Sequence, residues 1–189
     1  MTHMGGLTAI RIPGPSPRFE VLGPAETVEP LWDALATQAT PMDGTYWALL
    51  DIRAGIPTVY PETADAFVPQ MTNMQLIDGV SFTKGCYTGQ EVVARMQYLG
   101  KLKRRMYHAE VESVTAPKPG DELHAPGSTS EQASGRVVDA RPSGDGRYEL
   151  LAVVEVGAAE AGAVRLGADG PLLTFKAPPY GLPSGDAAP

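Results

Sequence analysis

Apolar positions in this chain come in short runs divided by turns. Thr8–Ile12 predicts a strand stopped by Pro13-Gly14-Pro15, and Arg18–Leu22 a second strand ending at Gly23-Pro24. Val28, Leu31, Trp32 and Leu35 then fall at i, i+3, i+4 and i+7, which predicts a helix with one apolar face. Thr27 is its expected N-cap because Pro30 belongs in a first turn, and Pro41 stops it near Ala39. Tyr46–Ile52 is β-prone and reads as a strand broken by Gly55-Ile-Pro57, with Thr58–Glu62 a short extended piece. Pro69–Phe82 reads as loop with a turn of helix, and Gly89–Leu99 as a helix with Val92, Val93, Met96 and Leu99 on one stripe.

Past Lys101 the period changes to that of strands. Leu102–Glu112, Asp121–His124, Ser134–Ala140, Arg147–Val156, Ala163–Leu166 and Leu172–Phe175 are strand-like and separated by Gly, Pro, Ser and Asp, the pattern of an all-β barrel or sandwich. The turn-rich stretch Thr115–Gln132 interrupts them. The chain is expected to divide into an α+β region over 1–100, a β-barrel over 101–177 and a disordered tail over 178–189.

Composition sharpens this reading. Gly and Pro supply 21 and 18 of the 189 residues, so long helices and coiled coils are excluded. The formal charge of −7 argues against coating nucleic acid by bulk electrostatics, and no DNA partner is expected. One cysteine, Cys86, leaves no internal disulfide framework, and three scattered histidines give no metal constellation. No apolar run approaches the ~18 residues of a membrane span and no secretory leader is recognisable, so a cytoplasmic protein with no membrane partner is expected.

The chemistry concentrates in Lys84-Gly-Cys-Tyr-Thr-Gly-Gln-Glu91. Thr88 and Glu91 have capping-box spacing, which would set Cys86 just outside a helix N-terminus, where the dipole and Lys84 favour a thiolate. A lone cysteine also serves as a small buried hydrophobe, and both readings stand at this point. Gly85 and Gly89 permit a close backbone approach by a ligand. Residues 84–105 hold Lys84, Arg95, Lys101, Lys103, Arg104 and Arg105 against Glu91 alone, a local net +5 that suits an anionic partner or a solvated face. His108 and His124 lie in the β region without a defined partner, so no triad can be assembled.

The run from Lys84 to Arg95 resembles the signature of the YgfZ family of folate-binding proteins, relatives of the glycine cleavage T-protein. Arg53-Ala-Gly-Ile-Pro57, Phe67-Val-Pro-Gln-Met-Thr-Asn73, Gly120-Asp-Glu-Leu and Gly135-Arg-Val-Val extend the similarity over most of residues 7–176. The resemblance implies an α+β fold: a partial ferredoxin-like folate-binding core followed by a C-terminal six-stranded antiparallel β-barrel. The N-terminal half that completes the family's folate pocket is expected to be absent. The resemblance also implies tetrahydrofolate as cofactor, with Gln70, Asn73, Lys84, Tyr87, Gly89, Gln90, Arg95 and Arg53 as binding candidates. Iron–sulfur proteins or tRNA-modifying enzymes are the implied partners, with Cys86 as a redox or cluster-contacting thiol tuned by Lys84.

Cys86 and Gln90 place the chain on the YgfZ side of the superfamily. A folate-dependent aminomethyltransferase is the alternative, for which Asp43 and Asp51 are the candidate carboxylates. Leu50-Asp-Ile-Arg-Ala-Gly55 departs from the family's Leu-Arg-Ile-Glu-Ala-Gly: Asp51 stands for the Arg and Arg53 for the Glu that helps hold the pterin.

Overall fold

The structure is a computed structural model that describes residues 1–126 and 133–182. Three strands, β1 (Thr2–Met4), β2 (Leu7–Ile12) and β3 (Arg18–Leu22), form an antiparallel meander in that order. The apolar pattern does not announce β1. Its signal is Gly5-Gly6, which adopts φ of 57° and 82° and makes a two-residue hairpin turn between the paired Met4 and Leu7.

Helix α1 (Ala25–Ala36) starts earlier than its expected cap. Pro24 is the N-cap, and Thr27 sits in the first turn with its hydroxyl donating to the Pro24 carbonyl at 2.9 Å. Pro30 therefore lies inside the helix, where its missing N–H leaves the Glu26 carbonyl without its usual donor. No residue of α1 is buried.

Tyr46–Ile52, expected as a strand, belongs to helix α2 (Gly44–Ala54). Two end signals override β propensity here. The Asp43 side chain accepts from Thr45 N–H at 2.9 Å, and Gly55 closes the helix in the left-handed region at φ 69°. Leu49, Ile52 and Ala54 are buried. Three short 3₁₀ turns follow, Pro61–Thr63, Pro69–Thr72 and Met74–Ile77, before α3 (Gln90–Leu99).

The second region contains β4 (Arg104–Glu112), β5 (Glu122–His124), β6 (Gly135–Gly144), β7 (Arg147–Glu155), β8 (Arg165–Leu166) and β9 (Thr174–Lys176). A short helix, α4 (Val156–Ala161), follows β7 where no element was expected. The expected turn-rich stretch Thr115–Gln132 is described only to residue 126, so its last part lies outside the described residues.

The fold expectation needs correction in both halves. The strands form one antiparallel sheet in the order β8-β5-β6-β7-β4-β9, curled into a half-barrel rather than closed into a barrel. Among the described residues, its end strands β8 and β9 share no ladder. A single isolated bridge from Arg165 to Leu172 stands beside them. Their lengths of two and three residues, with Pro171 unable to donate, leave too few backbone groups for a closing seam. In the first region the described strands are consecutive hairpins and α2 replaces the next expected strand. The strand–helix–strand crossover of a ferredoxin-like core is therefore not formed there.

The central strands are buried on both faces. Leu150, Ala152 and Val154 of β7 pack inside the curl with Val137, Ala109 and Leu123. Leu151 and Val153 point outward and join Met106 and Val138, and this outer layer is covered by Ile52 of α2 with Phe67 and Met71. The expected division near residue 100 is thus bridged by a shared cluster.

One charged group interrupts the outer layer. Arg53 of α2 donates to both oxygens of Glu149 on β7, Nε at 3.1 Å to each and Nη2 to Oε1 at 2.7 Å. His108 Nε2 lies 2.9 Å from the other oxygen, Oε2. An ionised carboxylate only accepts, so the imidazole must carry its proton on Nε2. Burial alone would raise the Glu149 carboxyl, but the Arg53 fork and His108 hold it below its ordinary value. Burial pushes the His108 ring below its ordinary value despite Glu149.

Tyr180 brings the chain back to this junction. Tyr180 donates its hydroxyl to the Gly55 carbonyl at 3.1 Å and receives Asn73 Nδ2 at 3.2 Å. Residues 178–182 of the expected disordered tail are thus placed, and 183–189 lie outside the described residues.

Two predictions follow from these contacts. Glu149 and His108 both have folded values below their unfolded ones, so each stabilises the fold at neutral pH and loses that contribution on acidification. The His108 part fades as pH falls below about 6.5 and the Glu149 part below about 4.3. Urea melts should show stability declining from about pH 7.5 to 5, His108→Gln should flatten that decline, and Glu149→Gln should cost about 2–3 kcal/mol at neutral pH. At Gly55, an added Cβ would stand 2.5 Å from the Tyr180 ring on a positive-φ backbone. Gly55→Ala should therefore cost about 2 kcal/mol and undock Tyr180, and Tyr180→Phe about 1 kcal/mol, read by denaturation and Tyr180 NMR shifts.

Candidate functional site

The signature residues occupy an exposed loop and the first turns of α3. Lys84, Cys86 and Tyr87 are all exposed, so the thiol is open to solvent and the buried-hydrophobe reading of Cys86 is set aside. The expected Thr88–Glu91 capping box is not formed. Gly89 is the N-cap, at φ 86° and without a side-chain cap bond. Gln90 supplies the local closure instead, its Oε1 accepting from Tyr87 N–H at 3.2 Å. Gly89 is the residue that permits this, because the left-handed cap conformation excludes most side chains. Phe82 meets Tyr98 edge-on at 6.3 Å, tying the start of the loop to the end of α3. Arg95 is exposed on α3, whereas Arg104 is half-buried and Arg105 buried, so the basic run of the sequence does not form one solvated edge.

The upstream candidates lie in the interior. Gln70 is fully buried and its Nε2 donates to the Val93 carbonyl of α3 at 2.6 Å. Asn73, also fully buried, donates from Nδ2 to the Met106 carbonyl of β4 at 2.8 Å. Its left-handed backbone, φ 59°, joins two 3₁₀ turns, a role Asn fills better than most non-glycine residues. Both amides therefore staple the 3₁₀ segment to its neighbours. Each retains a carbonyl oxygen, Gln70 Oε1 and Asn73 Oδ1, that is buried without a hydrogen-bond partner. Arg53 is committed to Glu149 as described. The candidates thus fall into two groups: Arg53, Gln70 and Asn73 at the buried junction, and Lys84, Cys86, Tyr87, Gly89, Gln90 and Arg95 on or beside the exposed loop. Gln70 links the groups through the backbone of α3.

The two candidate carboxylates have structural partners. Asp43 caps α2, and Asp51 lies 2.7 Å from the guanidinium of buried Arg18, which also rests over the Trp47 ring at 4.8 Å. Among the described residues no three His, Cys, Asp or Glu side chains converge as a metal set, and no helix is long and apolar enough to cross a membrane.

Two participants escaped the sequence reading. Glu149 lies outside every motif, and its partnership with His108 depends on β4 and β7 pairing so that both face outward toward α2. Tyr180 was hidden in a Gly/Pro-rich tail. Its signal, an isolated aromatic residue among small ones, is weak.

No family model matches the chain. It is 34% identical over 183 residues to the tRNA-modifying protein YgfZ of Yersinia pestis strain Pestoides F and to that of Yersinia pseudotuberculosis serotype O:1b, and 33% identical to that of Yersinia enterocolitica. Each match covers 96% of this chain and 56% of the relative, so the chain spans about half the length of the curated relatives it matches. The similarity extends along nearly the whole chain and relates it at the family level to these YgfZ proteins.

Proposed function

We propose that this chain belongs to a folate-binding accessory protein that supports iron–sulfur enzymes and tRNA modification, with Cys86 as its functional thiol. The observation that carries this reading is the 34% identity over 96% of the chain to proteins named as tRNA-modifying. The site chemistry supports it in two places. Gln70 Oε1 and Asn73 Oδ1 are buried acceptors without donors, and a pterin presents an edge of N–H donors that such oxygens would receive. Cys86 is solvent-exposed two residues from Lys84, where a partner's iron–sulfur centre or thiol can reach it. A single sulfur supplies one ligand, so the remaining ligands of any cluster come from the partner.

Bound tetrahydrofolate would supply a reduced pterin able to carry a one-carbon unit. The chain's own residues would bind and orient it: Gln70 and Asn73 at the ring edge, with Lys84 and Arg95 offering positive charge to its carboxylates. Asp43 and Asp51 are held by Thr45 and Arg18, so aminomethyl transfer gains no available base from them.

Isothermal titration of the chain with tetrahydrofolate should give saturable binding that Asn73→Ala weakens about tenfold. No heat at about 1 mM would end the folate reading. Cys86→Ala should leave the melting temperature unchanged, since the side chain is exposed, while abolishing support of tRNA thiolation in cells lacking their own YgfZ-type protein. Full activity of that variant would remove the thiol from the mechanism.

A further inference from the structure

A cleft of about 760 Å³ opens between the 66–71 segment and the outer face of the sheet, within the size range of small-molecule sites. Strand register determines what lines it. Glu122 pairs with Arg136, Arg136 with Val153, and Val153 with Met106, so these side chains form one row across β5, β6, β7 and β4 on the outer face. Toward the β4 side of the row, Val153 and Met106 join Phe67 and Met71 in the outer hydrophobic layer. Toward the β5 edge the same face becomes polar, with Arg136, Glu122 and His124, and Arg104 lies alongside. The cleft therefore has an apolar wall and a polar rim that presents two guanidinium groups.

The ion pairs of this rim differ from those that hold the fold. Arg53–Glu149, Arg18–Asp51 and Arg141–Asp139 each close to 2.7 Å. Around the cleft, Arg104–Glu155 stands at 3.6 Å, His124–Glu122 at 3.7 Å and Arg136–Glu122 at 3.8 Å. These pairs are longer than hydrogen bonds and partly solvated, so each is a weak contact. Arg104 is oriented independently, its Nη2 donating to the Ala133 carbonyl at 3.1 Å. A second anion can thus engage the rim at little cost in existing bonds.

We propose that this cleft binds a ligand of mononucleotide size, a planar heteroaromatic ring carrying a phosphate. The ring lies against Phe67, Met71 and Val153. The phosphate is received by the guanidinium groups of Arg136 and Arg104, which match its planar, bidentate hydrogen-bonding geometry, with His124 beside them. Glu122 supplies an acceptor for a ring amine or ribose hydroxyl. This site is independent of the folate reading, which draws on Gln70 and Asn73.

The test is a ¹H–¹⁵N NMR titration of the full chain with AMP, adenosine and inorganic phosphate. AMP should shift the amides of residues 66–71, Arg104 and Arg136, while adenosine and phosphate each bind about tenfold more weakly. Arg136→Glu should weaken AMP about tenfold or more without changing the circular dichroism, because the side chain is at the surface, and added salt should weaken it further. The proposal is overturned by no shift at about 5 mM AMP. It is likewise overturned by equal affinity for AMP and adenosine or for AMP and phosphate, or by unchanged affinity in the Arg136→Glu, Arg104→Ala double variant.

Discussion

Glu149 points from near the start of β7 onto the outer face of the sheet beside its hydrophobic layer, and its carboxylate is kept ionised there by Arg53 from α2 and His108 from β4. Such a charge is costly to bury alone: removing Arg53 leaves it uncompensated, and removing His108 takes away a donor. The bridge therefore fixes α2 at one rotation and one height on the sheet, since a three-bond guanidinium fork tolerates little displacement. Ile52, one residue before Arg53, is carried by the same placement into the outer hydrophobic layer with Met106, Leu151 and Val153. Gly55, two residues beyond, comes to rest against Tyr180. Hydrophobic contact supplies most of the attraction between the two regions, but it is weakly directional. The Arg53–Glu149–His108 contact supplies the register.

This arrangement explains which parts of the fold were legible. The six main strands of the second region and the positions of α1 and α3 follow from local period and turn chemistry, and they lie close to where the apolar pattern puts them. Tyr46–Ile52 was misread because Tyr, Trp and Ile favour strands, while the stronger information lay at the ends, in Asp43 and Gly55. Closure of the sheet was not legible, because the pattern locates strands without saying whether the first and last can meet. That depends on β8 and β9 being only a few residues long and on Pro171 between them. Glu149, an acidic residue in an apolar run, reads as a solvent-facing position until α2 is known to cover that face.

The candidate site was legible as a set of residues and illegible as a geometry. Arg53, Gln70 and Asn73 entered as binding candidates through resemblance, and each makes a bond that holds the junction together. Lys84 and Cys86 entered through the charge and position of the 84–91 run and Tyr87 through the resemblance, and all three are exposed. Resemblance to a motif does not separate residues that pack from residues that do chemistry, because a motif names positions and not contacts. Burial and hydrogen-bond satisfaction do separate them. The amide nitrogens of Gln70 and Asn73 serve the fold, while their carbonyl oxygens are buried without a hydrogen-bond partner.

The same distinction orders the charged groups. Where an arginine must hold elements together, the pair closes to hydrogen-bond length and at least one partner is buried, as at Arg53, Arg18 and Arg141. Where the pairs stay long and partly solvated, at Arg104, Arg136 and His124, the fold draws little stability from them. Arg104 and Arg136 gather at one cleft with His124 beside them, and their carboxylates stand too far away to close either pair as a hydrogen bond. A fold built for stability alone would close those pairs or replace them. Their loose geometry beside an apolar wall is the arrangement that a bound anion would complete.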